Sequence, residues 1–314
     1  MNVKVQIPAS CGELVQGYLD GNEFLINAPI PLFAEATLSY SECAFNKVML
    51  EKKGFQKASQ AVNNLIKQFN ITSSYFNLEI NSTIPRNKGL SSSTADVAAA
   101  ILAVASAFRK NLAYDEISQL IIDVDGSSDA VFMEGITQIN QLKGCICQQF
   151  YNIPNISFII VDAGGEIKTQ EFDRSLARWV AKKHEFSLKR ALELLQKGFY
   201  EQNPILIAHA ATISARINQC IHYKAPFHIL LEGTREFGGL GVNCAHTGTV
   251  LGVIFDHTQT DAIQLEMIIR KLIYPLPILG TYPLISGSAE INRIDECEII
   301  QKENIEDIVA MRFA

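Results

Sequence analysis

Residues 84–108 read IPRNKGLSSSTADVAAAILAVASAF, and the rest of the chain is organised around them. Two cations (Arg86, Lys88), one glycine (Gly89) and four consecutive hydroxyl residues (Ser91, Ser92, Ser93, Thr94) lead into a run of alanine and aliphatic residues. The run has helical periodicity, with Val97, Ile101, Val104 and Phe108 on one stripe and small residues around it. Ser91 or Ser92 suits the N-cap, where a hydroxyl accepts from the open N–H groups of the first turn. A helix that begins this way points unpaired N–H groups, and roughly +0.5 of a charge, at whatever lies before it. An anion, above all a phosphate, is the natural occupant. A serine-rich start taken alone also fits a capped core helix. The glycine, two cations and four hydroxyls in one loop favour the phosphate.

Composition bounds the rest. The chain has 314 residues, enough for two ordinary domains, and its 48% hydrophobic and 19% charged content describes a globular protein with a real core. A formal net charge of −6 argues against a general nucleic-acid binder but not against a nucleotide, which needs only a few local cations. No apolar run approaches the roughly 18 residues of a membrane span, and MNVKVQIPAS lacks a signal-peptide core, so a cytoplasmic location and no membrane partner are expected. Seven scattered cysteines (Cys11, Cys43, Cys145, Cys147, Cys220, Cys244, Cys297) form no Cys-x2-Cys pair. They predict reduced, mostly buried thiols rather than a disulfide framework or a zinc site. Neither Gly-x4-Gly-Lys-Ser/Thr nor Gly-x-Gly-x-x-Gly is present.

Taken in order, Val3, Val5 and Ile7 alternate as a strand that Pro8 should end. Further strands are predicted over 14–19, 24–27 and 32–39, with Asp20-Gly21 as a hairpin turn. Helices follow over 54–70 and 114–124, and a strand over 75–84 delivers the chain into the serine loop. Residues 137–150 read as a hairpin and 156–162 as a strand ending in Gly164-Gly165, a domain boundary that divides the chain into 1–163 and 164–314. Helices over 186–198 and 202–223 come next, with Trp179 as a core anchor before them. An amphipathic helix over 261–273 precedes a last strand over 277–283 and a mixed-charge tail. Asp129, in the loop DVDGSSDAVFM, reads in isolation as a turn former.

The stretch Pro85, Gly89, Leu90, Ser91, Ser92, Ser93, Thr94 resembles the second motif of the GHMP kinase family, Pro-x3-Gly-Leu-Gly-Ser-Ser-Ala. Ser91 stands where the family usually has Gly, and Thr94 where it usually has Ala. The Ser-Ser-Thr-Ala-Asp form is closer to one branch, the L-threonine kinases of cobalamin side-chain synthesis. PASCGELVQG resembles that branch's first motif at Pro8, Cys11, Gly12, Glu13, Leu14, Gln16 and Gly17, with Ala9 for the usual Gly. It lacks the lysine that many GHMP kinases carry there. Ser127-Ser128-Asp129 is similar to the branch's Pro-Thr/Ser-Asp, and Ala245-His246-Thr247-Gly248-Thr249 to its third motif, Ala-His-Ser-Gly-Thr-Val.

The resemblance implies an α+β, two-domain GHMP kinase-like fold, with an N-terminal ribosomal-S5-domain-2-like half and a C-terminal ferredoxin-like half. It implies ATP and Mg2+ as cofactors and a small-molecule alcohol as acceptor, L-threonine at the level of the branch. Nucleotide contacts then fall on Pro85, Lys88, Gly89, Leu90, Ser91, Ser92, Ser93 and Thr94, with Arg86 as a second screening cation. Asp129 becomes the catalytic base, and Ser93 with Glu116 the metal ligands, Asp125 being the rival carboxylate. A transfer of this kind needs a carboxylate at the acceptor hydroxyl and oxygen ligands for magnesium. His246 and Thr249 can hydrogen-bond nucleotide or acceptor, glycine there lets backbone approach closely, and Arg174 is a candidate anion contact. A homoserine- or mevalonate-type kinase and a catalytically silent nucleotide-binding regulator remain as alternatives, and the oligomeric state is open, a homodimer included.

Overall fold

The computed structural model describes residues 2–40, 54–71, 76–165 and 172–294. Cys43, Cys297, Tyr75, most of the stretch 166–174 and the tail from 295 onward lie outside the described residues. Ten strands form one sheet in the order β5-β4-β2-β1-β7-β8-β6-β9, with β10 added to β1 and β3 to β2. Its centre is a long hairpin. β1 (Asn2–Leu19) and β2 (Asn22–Tyr40) pair from end to end, joined by Asp20 and Gly21, both at positive φ (49° and 81°), as a two-residue turn requires.

Pro8 does not end β1. The register with β2 shifts directly after Pro8 and again across Ser10–Glu13, and such bulges are where a sheet accommodates a residue without an N–H donor. PASCGELVQG is therefore the bulged middle of a strand rather than a loop. On the edge of β1 away from β2, β10 (Glu290–Ile294) pairs with residues 2–6 and β7 (Gly239–Cys244) only at Glu13. Between those two contacts the Ser10 N–H donates to the Leu90 carbonyl at 3.1 Å, so the serine loop docks in the gap.

β3 (Phe76–Ser82) leads into that loop, and α2 (Ser92–Ala107) leads out of it. The expected stripe is not what α2 shows: every residue from Thr94 to Ala107 is buried. Seven alanines from Ala95 to Ala107 let the helix lie close against β1 and β2 while α1 (Gln56–Gln68) and α3 (Tyr114–Asp125) pack on it. A helix that is apolar all round belongs inside the core. The Gly126 αL cap ends α3, and the chain turns through Asp129 into β4 (Ile136–Asn140) and β5 (Cys145–Phe150).

β6 (Ile156–Asp162) lies between β8 (Val250–Asp256) and β9 (Ile278–Pro283). The intervening chain forms α4 (Arg174–Lys183), α5 (Glu185–Tyr200), α6 (Pro204–Asn218) and α7 (Pro226–Gly233), and α8 (Ala262–Ile273) follows β8 with Asp261 as its cap. α4, α7 and β10 are additions to the sequence reading, so β9 is not the last strand. Trp179 is a correction as well: α4 turns Val180 and Ala181 inward and leaves the indole 60% exposed under Lys183. The thiols also differ from expectation. Cys11 and Cys244 are buried, whereas Cys145, Cys147 and Cys220 are exposed. No described helix is long and apolar enough to cross a membrane.

Candidate active site

Three separated stretches converge at the bulge of β1. A Cβ on Gly89 would collide with the Ala245 side chain, one on Gly248 with the Lys88–Gly89 backbone, and one on Gly12 with the Cys244–Ala245 backbone. The Thr249 and Val250 N–H groups both donate to the Lys88 carbonyl, at 2.9 and 3.2 Å. Glycine is required here for loop-on-loop packing, which differs from the backbone–ligand approach expected of Gly248.

The cations of the serine loop are occupied by the protein itself. Lys88 Nζ lies 2.8 Å from the Asp162 carboxylate and 2.8 Å from the Gly165 carbonyl, and Thr249 donates its hydroxyl to the same carboxylate at 2.7 Å. Burial alone would raise the Asp162 carboxyl, but the bonds from Lys88, Thr249 and the Gly164 N–H together hold it below its ordinary value. Arg86 pairs with Asp96 at 2.7 Å, donates to the Gly54 carbonyl, and stacks 4.5 Å over the Phe55 ring. Neither these two cations nor Pro85 lines the cavity described next.

That cavity, of about 310 Å³, is lined by the other expected loop residues, Gly89, Leu90, Ser91, Ser92, Ser93 and Thr94. α2 opens onto it with Ser91 as N-cap in the left-handed region (φ 60°) and no side-chain cap. The Ser91 hydroxyl is bonded instead to the Ser10 hydroxyl at 2.6 Å. The first-turn N–H groups thus lack the usual hydroxyl acceptor and present an anion site. The cavity's own cations are Lys57 and Arg174, of which Lys57 reaches it from the first turn of α1.

Four carboxylates must be distinguished. Asp129 lines the cavity, and Asn27 Nδ2 donates to its Oδ1 at 3.2 Å while Asn27 Oδ1 accepts from the Ala130 N–H at 2.8 Å. Burial pushes the Asp129 carboxyl up, and hydrogen bonds from Asn27, Ser91 and Thr94 only partly offset it. Asp125 lines the same cavity with its side chain 5% exposed, and pairs with Lys57. Glu13, from the bulge of β1, accepts the His246 N–H at 2.8 Å; burial and the nearby Asp129 push it up to about 8. Glu116 is not brought to the cavity. It sits at the opposite end of α3 from Asp125, about 13 Å away along the axis. There its carboxylate accepts the Ala113 N–H at 2.8 Å, a capping interaction that answers the first turn's open donors.

Residues 56–134 match the model of the GHMP kinases N terminal domain, a stretch that carries Lys57, the serine loop, all of α2 and α3, and Asp129. Those residues therefore carry a GHMP kinase N-terminal domain. Over nearly its full length it is similar to the L-threonine kinase of Citrobacter freundii, 27% identical over 299 residues that cover 91% of this chain and 98% of the relative. The L-threonine kinase of Salmonella typhimurium is 26% identical over 296 residues, covering 92% and 96%. The crystal structure of a mevalonate kinase superposes with a TM-score of 0.64 at 17% identity, covering 90% of this chain and 99% of that one. The enzyme is accordingly an ATP-dependent phosphotransferase with an alcohol acceptor, and its fold is that of the GHMP kinases.

In this kinase the third motif has a different task from the one expected of it. His246 is buried, its Nε2 lies 3.2 Å from the Ser214 hydroxyl, and burial lowers it to about 3, so the ring is neutral. Thr249 is turned to Asp162, and Thr247 is the member of that motif that lines the cavity. Lys57, Asn27 and Gln141 are site-lining or site-supporting residues that the sequence reading missed. None stands in a local pattern that announces chemistry, and only the packing of α1, β2 and β4 around α2 and the Asp129 turn brings them there.

Proposed function

We propose that this kinase transfers the γ-phosphoryl group of ATP to the side-chain hydroxyl of L-threonine, giving L-threonine O-3-phosphate and ADP. The observation that carries the reading is an uncapped helix N-terminus opening onto the same cavity as a half-buried aspartate that pairs with no cation among the described residues. The names of the two full-length relatives support threonine as the acceptor.

In this mechanism the N–H groups over residues 89–94 and the α2 dipole hold the terminal phosphates. Lys57, paired with Asp125 at the cavity wall, supplies there the positive charge that Lys88, locked to Asp162, does not. Ser93 and Asp125 present a hydroxyl and a buried carboxylate at the cavity wall, hard oxygen donors that suit magnesium, and they are the residues that would hold it. Bound there, the ion would neutralise phosphate charge. The threonine hydroxyl attacks the γ-phosphorus as its proton passes to the Asp129 carboxylate. An O–P bond forms, the bridging bond to the β-phosphate breaks, and ADP leaves. Asn27 fixes the aspartate through its amide, itself anchored on the Ala130 N–H. The raised Asp129 carboxyl is a stronger base than an exposed aspartate. Such a product would feed the aminopropanol arm of cobalamin synthesis in the cytoplasm.

ADP release with ATP and magnesium, measured against L-threonine, L-serine, L-homoserine, mevalonate and no acceptor, tests the reading. Turnover on L-threonine well above the others is expected. Preference for another alcohol would discard threonine while keeping the kinase.

A further inference from the structure

We propose that Glu13 and Arg174 hold the two charged ends of the acceptor, the Glu13 carboxylate taking the ammonium group of an α-amino acid and the Arg174 guanidinium its carboxylate. The assignment rests on the threonine reading above and says how that site selects a zwitterion.

Glu13 is 6% exposed and lines the cavity, yet no cation among the described residues lies within ion-pair distance of it. Its bond from another residue is the neutral His246 N–H. Lys224, a cation whose field reaches it, is buried with its ammonium on Asn218 Oδ1 at 3.0 Å. A buried carboxylate without a counter-ion is costly unless something positive arrives to complete it. Burial, with Asp129 nearby, already pushes Glu13 up to about 8, the expected consequence of that missing charge. The β1–β7 junction sets the position. Glu13 is the residue at which β7 meets β1, and its neighbours on both strands are packed too tightly for the backbone to withdraw.

Arg174 supplies the opposite charge. Its Nη1 stands 3.5 Å from Glu23, but Glu23 is held more closely by Arg178 at 2.7 Å and by Gln141 Nε2 at 3.1 Å. Glu23 is thus satisfied without Arg174, whose planar fork matches a carboxylate. Arg174 also lies away from the phosphate end. It shares Gln16, Gln141 and Phe172 with a second, smaller cavity whose lining includes neither Lys57 nor Asp125 nor any residue of the serine loop. Phosphate charge and acceptor carboxylate therefore meet different cations, Lys57 at one end and Arg174 at the other.

Two stripped acceptors test the pairing: 3-hydroxybutyrate, which lacks the ammonium, and 1-amino-2-propanol, which lacks the carboxylate. Wild-type kcat/KM for L-threonine should exceed that for either by about 30-fold or more. Glu13→Gln should lower kcat/KM for L-threonine by about 30–100-fold and leave 3-hydroxybutyrate unchanged, while Arg174→Met should lower that for L-threonine to a similar extent and leave 1-amino-2-propanol unchanged. The ATP-induced thermal shift should persist in both variants. Equal losses on all three acceptors, or no loss, would overturn the assignment while leaving threonine as substrate. Equal use of the three acceptors by the wild type would overturn it without any variant. A wild type that ignores L-threonine but phosphorylates another alcohol would remove the threonine reading itself, and this inference with it.

Discussion

Asp162 and Asp129 are both largely buried, and the serine loop lies close to each, yet their surroundings are opposite. Asp162 has a lysine, a threonine hydroxyl and a backbone N–H, and its carboxyl is held low. Asp129 has an amide and hydroxyls but no cation, and its carboxyl is pushed up. The first is a strut: together with Lys88 it ties the loop to the end of β6 and to the Thr249 turn. The second faces the cavity with proton affinity in reserve. A buried charge completed by the protein holds structure, and one left incomplete is free to act on a ligand.

The sharpest way to break the comparison is Asp129→Asn, which keeps the Asn27 contact and removes the base. Turnover should fall by about 10²–10⁴-fold with ATP binding retained, and full turnover would remove Asp129 from the chemistry. Lys88→Met addresses the strut. It leaves Asp162 buried without its cation, and urea unfolding should show a loss of about 2 kcal/mol, less than for a fully buried pair because Lys88 is one-fifth exposed. An unchanged midpoint would mean that the loop is held by its backbone bonds alone.

Glu13 extends the contrast to pH. Its folded-state value of about 8 lies above the ordinary 4.5, so the folded protein binds the extra proton. The contribution of Glu13 to the stability of the ligand-free protein is therefore fully present below about 4.5 and is lost as pH rises through about 8. The slope should be at most about 1.4 kcal/mol per pH unit. Glu13→Gln should flatten that segment of the stability profile; a profile identical to wild type would place the titration elsewhere. The smallest effect belongs to Glu116→Ala, which should cost about 0.5–1 kcal/mol through the lost cap and leave magnesium dependence unchanged. A raised magnesium requirement in Glu116→Ala, and none in Asp125→Asn, would reverse the assignment of the metal carboxylate.

Local patterns were legible wherever the physics is local. The Asp20-Gly21 turn, the helix following the serine loop and the Asp261-capped helix depend on neighbours in sequence, and all three are present. Pro8 misled because a strand end and a bulge carry the same local signal, and only pairing with β2 separates them. Trp179 misled because its size suggests burial while the face of a helix is set by what the helix packs on. Glu116 is expected as a metal ligand from the spacing that the family resemblance implies. Nothing in that spacing records that a carboxylate at the third position of a helix finds an N-terminal N–H first.

The sequence alone determined the phosphate-suited helix start and the order of the glycine-bearing motifs, because each rests on residue types at short range, whereas Asp129 was singled out only by the resemblance of its loop to a family motif. Tertiary structure alone decided which charges reach the cavity. Lys88 and Arg86 stand in the loop yet are held by Asp162 and Asp96, while Lys57, Glu13 and Arg174 come from α1, β1 and α4 to the cavity. Charge pairing depends on distance in space and on the exclusion of water, and neither is written in the spacing of residues along the chain.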